Sequence, residues 1–199
     1  VEATGHRTTA EIAPNPDDYP GAQPDMLRPA SLVFTPTERP VPLHDWSQWW
    51  RMAFDADGRH PLGPDSSIDD LDDHPVVHVT YDDATAYAAW AGKALPTEAE
   101  WEFAARGGVD GQEFAWGDEL LPDGKAMANF WQGNFPSENL LIDGYERTSP
   151  VGSFPANGYG LSDMIGNVWE WTEDFYAARH QADLSRPCCA PRNPLNQAR

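Results

Sequence analysis

Cysteine is scarce in this chain of 199 residues, and its two cysteines, Cys188 and Cys189, are neighbours in sequence. Their α-carbons lie ~3.8 Å apart across one peptide bond, which is below the usual separation for a disulfide. They therefore do not connect distant parts of the fold, and the sequence implies no disulfide framework. The two cysteines therefore do not indicate whether the protein works in an oxidising or a reducing compartment.

Basic residues are also few, with 13 Lys and Arg against 32 Asp and Glu, so the formal net charge is -19. A charge of this sign repels phosphate backbones and anionic lipid. We therefore expect neither nucleic acid nor a membrane surface as a partner. Carboxylates in this number are typical of a surface that stays in solution, and a cationic partner is allowed.

Long apolar runs are the third absence, because no stretch approaches the ~20 apolar residues that a membrane span requires. A hydrophobic content of 40% with nine tryptophans nevertheless predicts a folded chain, and 199 residues suit a single domain. The chain opens at Val1 in a segment that reads as the interior of an element. We therefore expect it to be truncated there, and its localisation is not readable.

Proline is abundant in the first third of the chain. Eight prolines fall within residues 12–45, and residues 55–75 combine Gly and Pro with an acidic run. Proline removes a backbone donor and is excluded from helix interiors and central strands. The pattern predicts ordered, proline-rich loops over residues 12–73.

Two helices and one strand are predicted after these loops. The β-branched segment 76–79 is typical of a short strand. Thr80 followed by Asp83, with Gly92 at the far end, predicts a helix over residues 81–91. Thr97 and Glu100 form a Thr-x-x-Glu capping box for a second helix over residues 98–106. Beyond residue 108, glycines, prolines and aromatics mix without a sustained period.

Several segments in fixed order carry a family resemblance. They are HPVVHVTYDDATAYAAWAGKALPTEAEWEFAARGG, FAWGDE, ANFWQGNFP and SPVGSFPANGYGLSDMIGNVWEWTEDFY. With this set the chain resembles the sulfatase-modifying-factor family, densely over residues 74–176, and LPTEAEWE followed by GNVWEW is its most specific part. The NFWQGNFP segment favours the formylglycine-generating branch. We therefore treat residues 1–199 as a single, partial domain of this family.

The resemblance implies a fold, an activity and a partner. The fold is α+β, C-type-lectin-like and rich in loops with little regular secondary structure. The activity is oxidation of a cysteine in a sulfatase Cys-x-Pro-x-Arg motif to formylglycine with oxygen and copper. The partner is an unfolded sulfatase peptide segment.

The resemblance also implies structural calcium in two loop sites. The first set of ligands is the side chains of Asn129 and Asp143 with the carbonyls of Phe130 and Tyr145. The second set is the side chains of Asp163 and Glu170 with the carbonyls of Gly166 and Val168. Such oxygens are the ligands that calcium takes. The competing interpretation is that the Asp, Asn and Glu side chains only cap loops or face solvent.

Three tryptophans receive separate predictions. By the resemblance, Trp49 lines the groove for the substrate peptide, with packing in the core as the equal alternative. Trp169 and Trp171 flank Glu170 in GNVWEW, and we expect both to pack in the core, where aromatic side chains bury the most area.

No catalytic residue is assigned in this chain. The family holds copper with two cysteines in a segment resembling GGSxxCxxxYCxRYRxAAR, and no residue up to Arg199 matches that segment. Two adjacent thiolates suit soft copper, yet Cys188 and Cys189 are better interpreted as plain thiols. We therefore expect the chain as given to be inactive, with copper bound in a full-length parent only.

Two other functions stay open. Iron-dependent sulfoxide synthases share the GNVWEW region and use a His-x-x-x-His-x-Glu motif. His74 and His78 have the spacing, but Thr80 stands where the glutamate is required, so we expect structural histidines. The other alternative is a noncatalytic C-type-lectin-like binding module, because a fold does not by itself fix a function.

Overall fold

The structure is a computed structural model that describes residues 3–176. Its two α-helices are α1, Tyr81–Trp90, and α2, Glu98–Arg106. Its two strands are β1, Ala30–Phe34, and β2, Trp50–Phe54. The loops contain short 3₁₀ helices of three residues each, at Thr9–Glu11, Pro16–Asp18, Pro24–Met26, Trp46–Gln48 and Pro122–Gly124. The fold is therefore α+β and rich in loops, as the sequence predicts.

Helix α1 begins where the sequence predicts because its first turn carries a reciprocal cap. The Thr80 hydroxyl accepts from the Asp83 backbone N–H at 3.3 Å, and the Asp83 carboxylate accepts from the Thr80 backbone N–H at 2.9 Å. This pairing satisfies two backbone donors that a helix start leaves open. The helix ends ahead of Gly92, whose φ of 68° is the left-handed conformation favoured after a helix.

Helix α2 is bounded by the same devices. Thr97 and Glu100 form the predicted capping box, and Gly107 closes the helix with a φ of 59°. The space around Gly107 also demands glycine, since a β-carbon there would lie 2.7 Å from the side chain of Asn157. Asn157 in turn donates to the Ala104 carbonyl at 2.6 Å. The end of α2 is therefore fastened to the long C-terminal loop region.

The two strands form one antiparallel ribbon, with Ala30 opposite Phe54 and Phe34 opposite Trp50. Both lie inside residues 12–73, which the proline pattern predicts to be loops. The prolines flank the strand β1, at Pro29 and Pro36, and leave its interior donors intact. Proline density thus marks the loops correctly but hides the strands between them.

The predicted strand over residues 76–79 is wrong. His78 has a φ of 58°, a left-handed conformation that interrupts an extended ladder. Its ring Nε2 lies 2.8 Å from the Pro61 carbonyl, and the Val79 carbonyl accepts from the indole N–H of Trp171 at 3.0 Å. The Val79 carbonyl is thus bonded by a side chain and not by the backbone of a neighbouring strand.

Packing covers both faces of the ribbon. On one face, Val33 and Ala53 join Ala56 in a small buried aliphatic cluster. The next residue, Phe34, points to the opposite face, where its ring contacts Trp131 with centroids 5.5 Å apart and Phe135 at 5.8 Å. This aromatic group joins the ribbon to the segment that carries the candidate metal ligands, so the sheet positions the site.

The N-terminal segment is tied to α1 through Asp83. Its carboxylate accepts from the Thr9 backbone N–H at 3.2 and 3.1 Å and lies 3.0 Å from Nε2 of His6. Burial acts to raise the pKa of Asp83, but the hydrogen bonds from Thr80, His6 and Thr9 outweigh it, and the pKa lies below its ordinary value. Asp83 therefore works as a charged anchor between two distant segments.

No helix within residues 3–176 has the length and apolar character needed to cross a membrane.

Candidate metal centre

The first predicted set of ligands, here called the Asn129 site (Asn129, Phe130, Asp143 and Tyr145), is brought together by the structure. The Asp143 carboxylate accepts from the Phe130 backbone N–H at 3.0 Å and from the Tyr145 backbone N–H at 3.0 Å. Asn129 is buried, and its amide donates to the Arg147 carbonyl at 2.7 Å. Two loop segments distant in sequence thus converge on one carboxylate.

Gln132 belongs to the same cluster, although the sequence reasoning did not select it. Its side chain is 6% exposed. Its Nε2 donates to Asp143 Oδ2 at 2.7 Å and to the Phe130 carbonyl, while its Oε1 accepts from the backbone N–H groups of Ile142 and Asp143. The available signal was its place inside the ANFWQGNFP segment, two residues after a predicted ligand.

The contacts of Gln132 also test the geometry of the Asn129 site. One nitrogen touches both the Phe130 carbonyl oxygen and Asp143 Oδ2, so these two predicted ligand oxygens face a common point. Convergence of a carbonyl and a carboxylate on one point is what a hard cation requires. The donor set of this site, an amide, a carboxylate and two carbonyls, has the oxygen chemistry that calcium takes.

The second predicted set of ligands, here called the Glu170 site (Asp163, Gly166, Val168 and Glu170), has a different form. Asp163, Val168 and Glu170 line one open pocket at the surface. Asp163 Oδ2 accepts from the Gly152 backbone N–H at 2.5 Å, and Glu170 accepts from the indole N–H of Trp101. Two carboxylates share this pocket, so it too has the oxygen chemistry of a calcium site.

Gly166 does not line this pocket but packs against the other site. A β-carbon at Gly166 would lie 2.3 Å from the Asn129 carbonyl oxygen, so only glycine fits there. The next residue, Asn167, donates its backbone N–H to the same carbonyl at 2.8 Å. The side chain of Asn167 bonds both backbone groups of Ser149, at 2.9 and 3.1 Å. The two sites are therefore adjacent and share backbone contacts.

Among residues 3–176, no group of three His, Cys, Asp or Glu side chains is placed to hold a metal ion. His74 Nδ1 lies 2.9 Å from the Thr148 hydroxyl, while His78 bonds Pro61 on another loop. The prediction that these histidines are structural agrees with their separate partners. The predicted ligands of both candidate sites are oxygens, which suit a hard cation such as calcium.

The predicted burial of Trp169 and Trp171 is wrong. Trp169 is 95% exposed and Trp171 is 49% exposed. Both line an apolar groove with Leu32, Trp46, Trp50, His78 and Val79. The indole N–H of Trp171 is satisfied by Val79, which holds the ring at the surface, and no element within residues 3–176 covers Trp169.

Trp49 is buried, with 7% of its surface exposed. Its ring meets Phe135 edge to face with centroids 5.3 Å apart. This is the packing alternative for Trp49, and its contact with a substrate peptide stays a prediction. Cys188 and Cys189 lie outside the described residues.

Comparison with known proteins identifies the family of the chain. The fold and site define a loop-rich α+β scaffold with oxygen-lined loop sites. A family model described as the sulfatase-modifying factor enzyme 1-like domain matches residues 1–195. The chain therefore belongs to the sulfatase-modifying factor family.

Individual relatives lie in the formylglycine-generating branch. The formylglycine-generating enzyme of Mycobacterium tuberculosis is 55% identical over 192 residues, covering 96% of this chain and 64% of the relative. The inactive C-alpha-formylglycine-generating enzyme 2 of Bos taurus is 51% identical over 134 residues, covering 67% of this chain and 44% of the relative. This chain thus spans under two thirds of the length of either relative.

One solved structure, that of PvdO from Pseudomonas aeruginosa, matches with a TM-score of 0.42 and 40% identity over 53% of this chain and 40% of that chain.

Proposed function

We propose that the chain is the scaffold part of a formylglycine-generating enzyme. The observation that carries this proposal is 55% identity to the enzyme of Mycobacterium tuberculosis over 96% of the chain. The substrate is then an unfolded sulfatase segment whose cysteine, within Cys-x-Pro-x-Arg, becomes formylglycine. The net charge of -19 favours a peptide that carries arginine, because opposite charge speeds encounter.

Calcium has a structural role in this proposal. The Asn129 site and the Glu170 site each bind one ion, which offsets the carboxylate charge and holds neighbouring loops together. Support comes from the converging oxygens of Phe130 and Asp143 and from the two carboxylates in the pocket of the Glu170 site. A bound ion that prefers the folded chain stabilises it by mass action.

Copper does not fit the residues that the structure describes. Residues 3–176 contain no cysteine, and copper(I) prefers soft thiolate ligands. We therefore assign no catalytic residue and derive no chemical step in this chain. The proposal is that the chain as given is inactive and becomes active when extended through the two-cysteine segment.

Substrate binding is proposed at the apolar groove lined by Trp46, Trp50 and Trp169. Exposed indole faces suit the proline of the substrate motif, since aromatic rings bury large areas at low entropic cost. Trp49, predicted to line the groove for the substrate peptide, immediately precedes β2 and packs against Phe135. Its contact with the substrate stays a prediction.

An assay on a Cys-x-Pro-x-Arg peptide tests the proposed activity. The chain, a version extended through the two-cysteine segment, and the same extension with both cysteines replaced by serine are incubated with peptide, copper and oxygen. Mass spectrometry is expected to detect the aldehyde only with the cysteine-containing extension. Product from the chain alone would contradict the assignment and would direct attention to Cys188 and Cys189.

A noncatalytic binding module is the second candidate. It is favoured by the 51% identity to a relative whose name records it as inactive. In that case the extended protein binds the peptide without oxidising it. Peptide binding measured by fluorescence anisotropy, with no aldehyde from the extended protein, is the result that selects this candidate.

A further inference from the structure

We propose that Gln132 is the positioning residue of the Asn129 site, and that its side-chain amide orients the Phe130 carbonyl and the Asp143 carboxylate when calcium is absent. This inference rests on the proposed calcium binding at that site. It adds a residue that is neither a predicted ligand nor exposed to solvent, since only 6% of its surface is exposed.

The orientation of the Gln132 amide is fixed by its surroundings. Oε1 accepts from the Ile142 backbone N–H at 2.8 Å and from the Asp143 backbone N–H at 3.4 Å. A rotated amide would set its NH₂ group against these two donors, so rotation is disfavoured. The NH₂ group must then face the Phe130 carbonyl and Asp143 Oδ2, as observed.

The main chain of Gln132 reinforces this arrangement. Its carbonyl accepts from the Leu140 backbone N–H at 2.6 Å, and its N–H donates to Asn139 Oδ1 at 3.3 Å. One residue therefore joins the segment that carries Phe130 to the segment that carries Asp143. Buried polar groups bonded at every valence specify a single geometry.

The NH₂ group donates to both predicted ligand oxygens, the Phe130 carbonyl and Asp143 Oδ2. These two hydrogen bonds hold the oxygens close together without a metal. The surrounding loops therefore lose less conformational entropy when an ion binds. Both oxygens keep further lone pairs for a cation, because a carbonyl has two and a carboxylate about four. Gln132 is thus expected to preserve the site in the calcium-free protein.

Two substitutions separate this role from general packing. Gln132→Met keeps a similar length but leaves the N–H groups of Ile142 and Asp143 without their acceptor. It also no longer orients the Phe130 carbonyl and the Asp143 carboxylate, so calcium affinity should fall about tenfold. Gln132→Glu keeps an acceptor for both N–H groups but replaces the NH₂ group with an oxygen. Calcium affinity should then rise about tenfold through the added charge, and the melting temperature in chelator should fall.

The experiment is titration calorimetry with calcium chloride on the full 199-residue chain, with circular dichroism to check folding. Gln23→Glu is the matched control, because it adds the same charge at an exposed position outside the Asn129 site, and its affinity should equal that of the original chain. Opposite shifts for the two Gln132 variants are expected.

Calcium binding by the original chain with unchanged affinity in both Gln132 variants would overturn the role of Gln132 and leave the calcium proposal standing. Weaker binding by Gln132→Glu would also overturn it, since packing alone would then explain both variants. No calcium binding at either site of the original chain would instead reject the calcium proposal itself, and this inference with it.

Discussion

The two helices and the loop region over residues 128–171 are held in different ways. Helices α1 and α2 begin at reciprocal caps whose partners lie three residues apart. The loop region is held by contacts between distant segments, such as Asp143 with Phe130 and Asn167 with Asn129. Local contacts form without the rest of the fold, whereas long-range contacts need closed loops. The loop region is therefore the part that gains most from bound ions.

The two candidate sites repeat this contrast on a smaller scale. In the Asn129 site, the Asp143 carboxylate accepts from Phe130, Gln132 and Tyr145. In the Glu170 site, the hydrogen bonds described within residues 3–176 give Asp163 and Glu170 one donor each. Carboxylates with few donors repel each other more strongly. The Glu170 site should therefore depend more on its ion.

Calcium removal is expected to have the largest effect and to separate the two regions. An ion at about a hundredfold excess over its dissociation constant adds about 2.7 kcal/mol per site. For a chain of this size, two such sites raise the melting temperature by about 10 to 20 °C. Hydrogen exchange with and without chelator should show lost protection at the backbone amides of Phe130 and Tyr145, with those of α1 unchanged. Equal loss in both regions would remove the distinction.

Substitution of Asp83 tests the long-range contact that α1 does make. Asp83→Asn places an NH₂ group against the N–H of either Thr80 or Thr9, so unfolding free energy at pH 7 should fall by about 2 kcal/mol. Hydrogen bonds lower the pKa of Asp83 in the folded chain below its ordinary value of 3.8. The charged carboxylate therefore stabilises the fold fully at pH values above 3.8. This stabilisation is lost as the pH falls through the lower pKa of the folded chain.

Urea unfolding of both proteins between pH 3 and pH 7 measures this difference. The gap between the original chain and Asp83→Asn should be full near neutral pH and should close in the acidic range. A gap that does not change with pH would show that the charge of Asp83 is irrelevant.

Substitution of Glu170 sharpens the contrast between the two sites. Glu170→Gln retains an acceptor for the indole N–H of Trp101 but removes one negative charge from the pocket, so one calcium ion should bind about tenfold more weakly. Glu173→Gln removes the same charge three residues away and is the control. Titration calorimetry measures both variants, and equal weakening in the two would mean that net charge, not ligation, is responsible.

The smallest effects belong to the local contacts of α2. Thr97→Ala removes the cap of α2 and should cost about 1 kcal/mol, with or without chelator. Glu102→Gln breaks the exposed pair with Arg106 and should cost under about 0.5 kcal/mol. Thermal unfolding of both variants measures these costs. A dependence of the Thr97→Ala effect on calcium would show that the two regions are coupled.

The same contrast explains what could be predicted from the sequence. The capping boxes at Thr80 and Thr97 are local patterns, and both helices follow them. The segment over residues 76–79 is β-branched, but its conformation depends on the remote Pro61 and Trp171, which no local pattern reports. The strand predicted there was therefore wrong.

The candidate sites divide in the same way. The resemblance selected their ligands, and the structure brings most of them together. Gln132 was missed because its role depends on Ile142 and Asp143 in a distant loop. The burial of Trp169 was predicted from its aromatic character alone, yet 95% of its surface is exposed within the described part of the chain. Contacts across long sequence separations are thus the common cause of these errors.

Anomalous diffraction from crystals grown with calcium, recorded at a long X-ray wavelength, tests the central claim most directly. Two peaks are expected, one among the oxygens of Asn129, Phe130 and Asp143, and one between Asp163 and Glu170. Absence of peaks at both positions, in crystals that diffract well and contain millimolar calcium, would contradict the account.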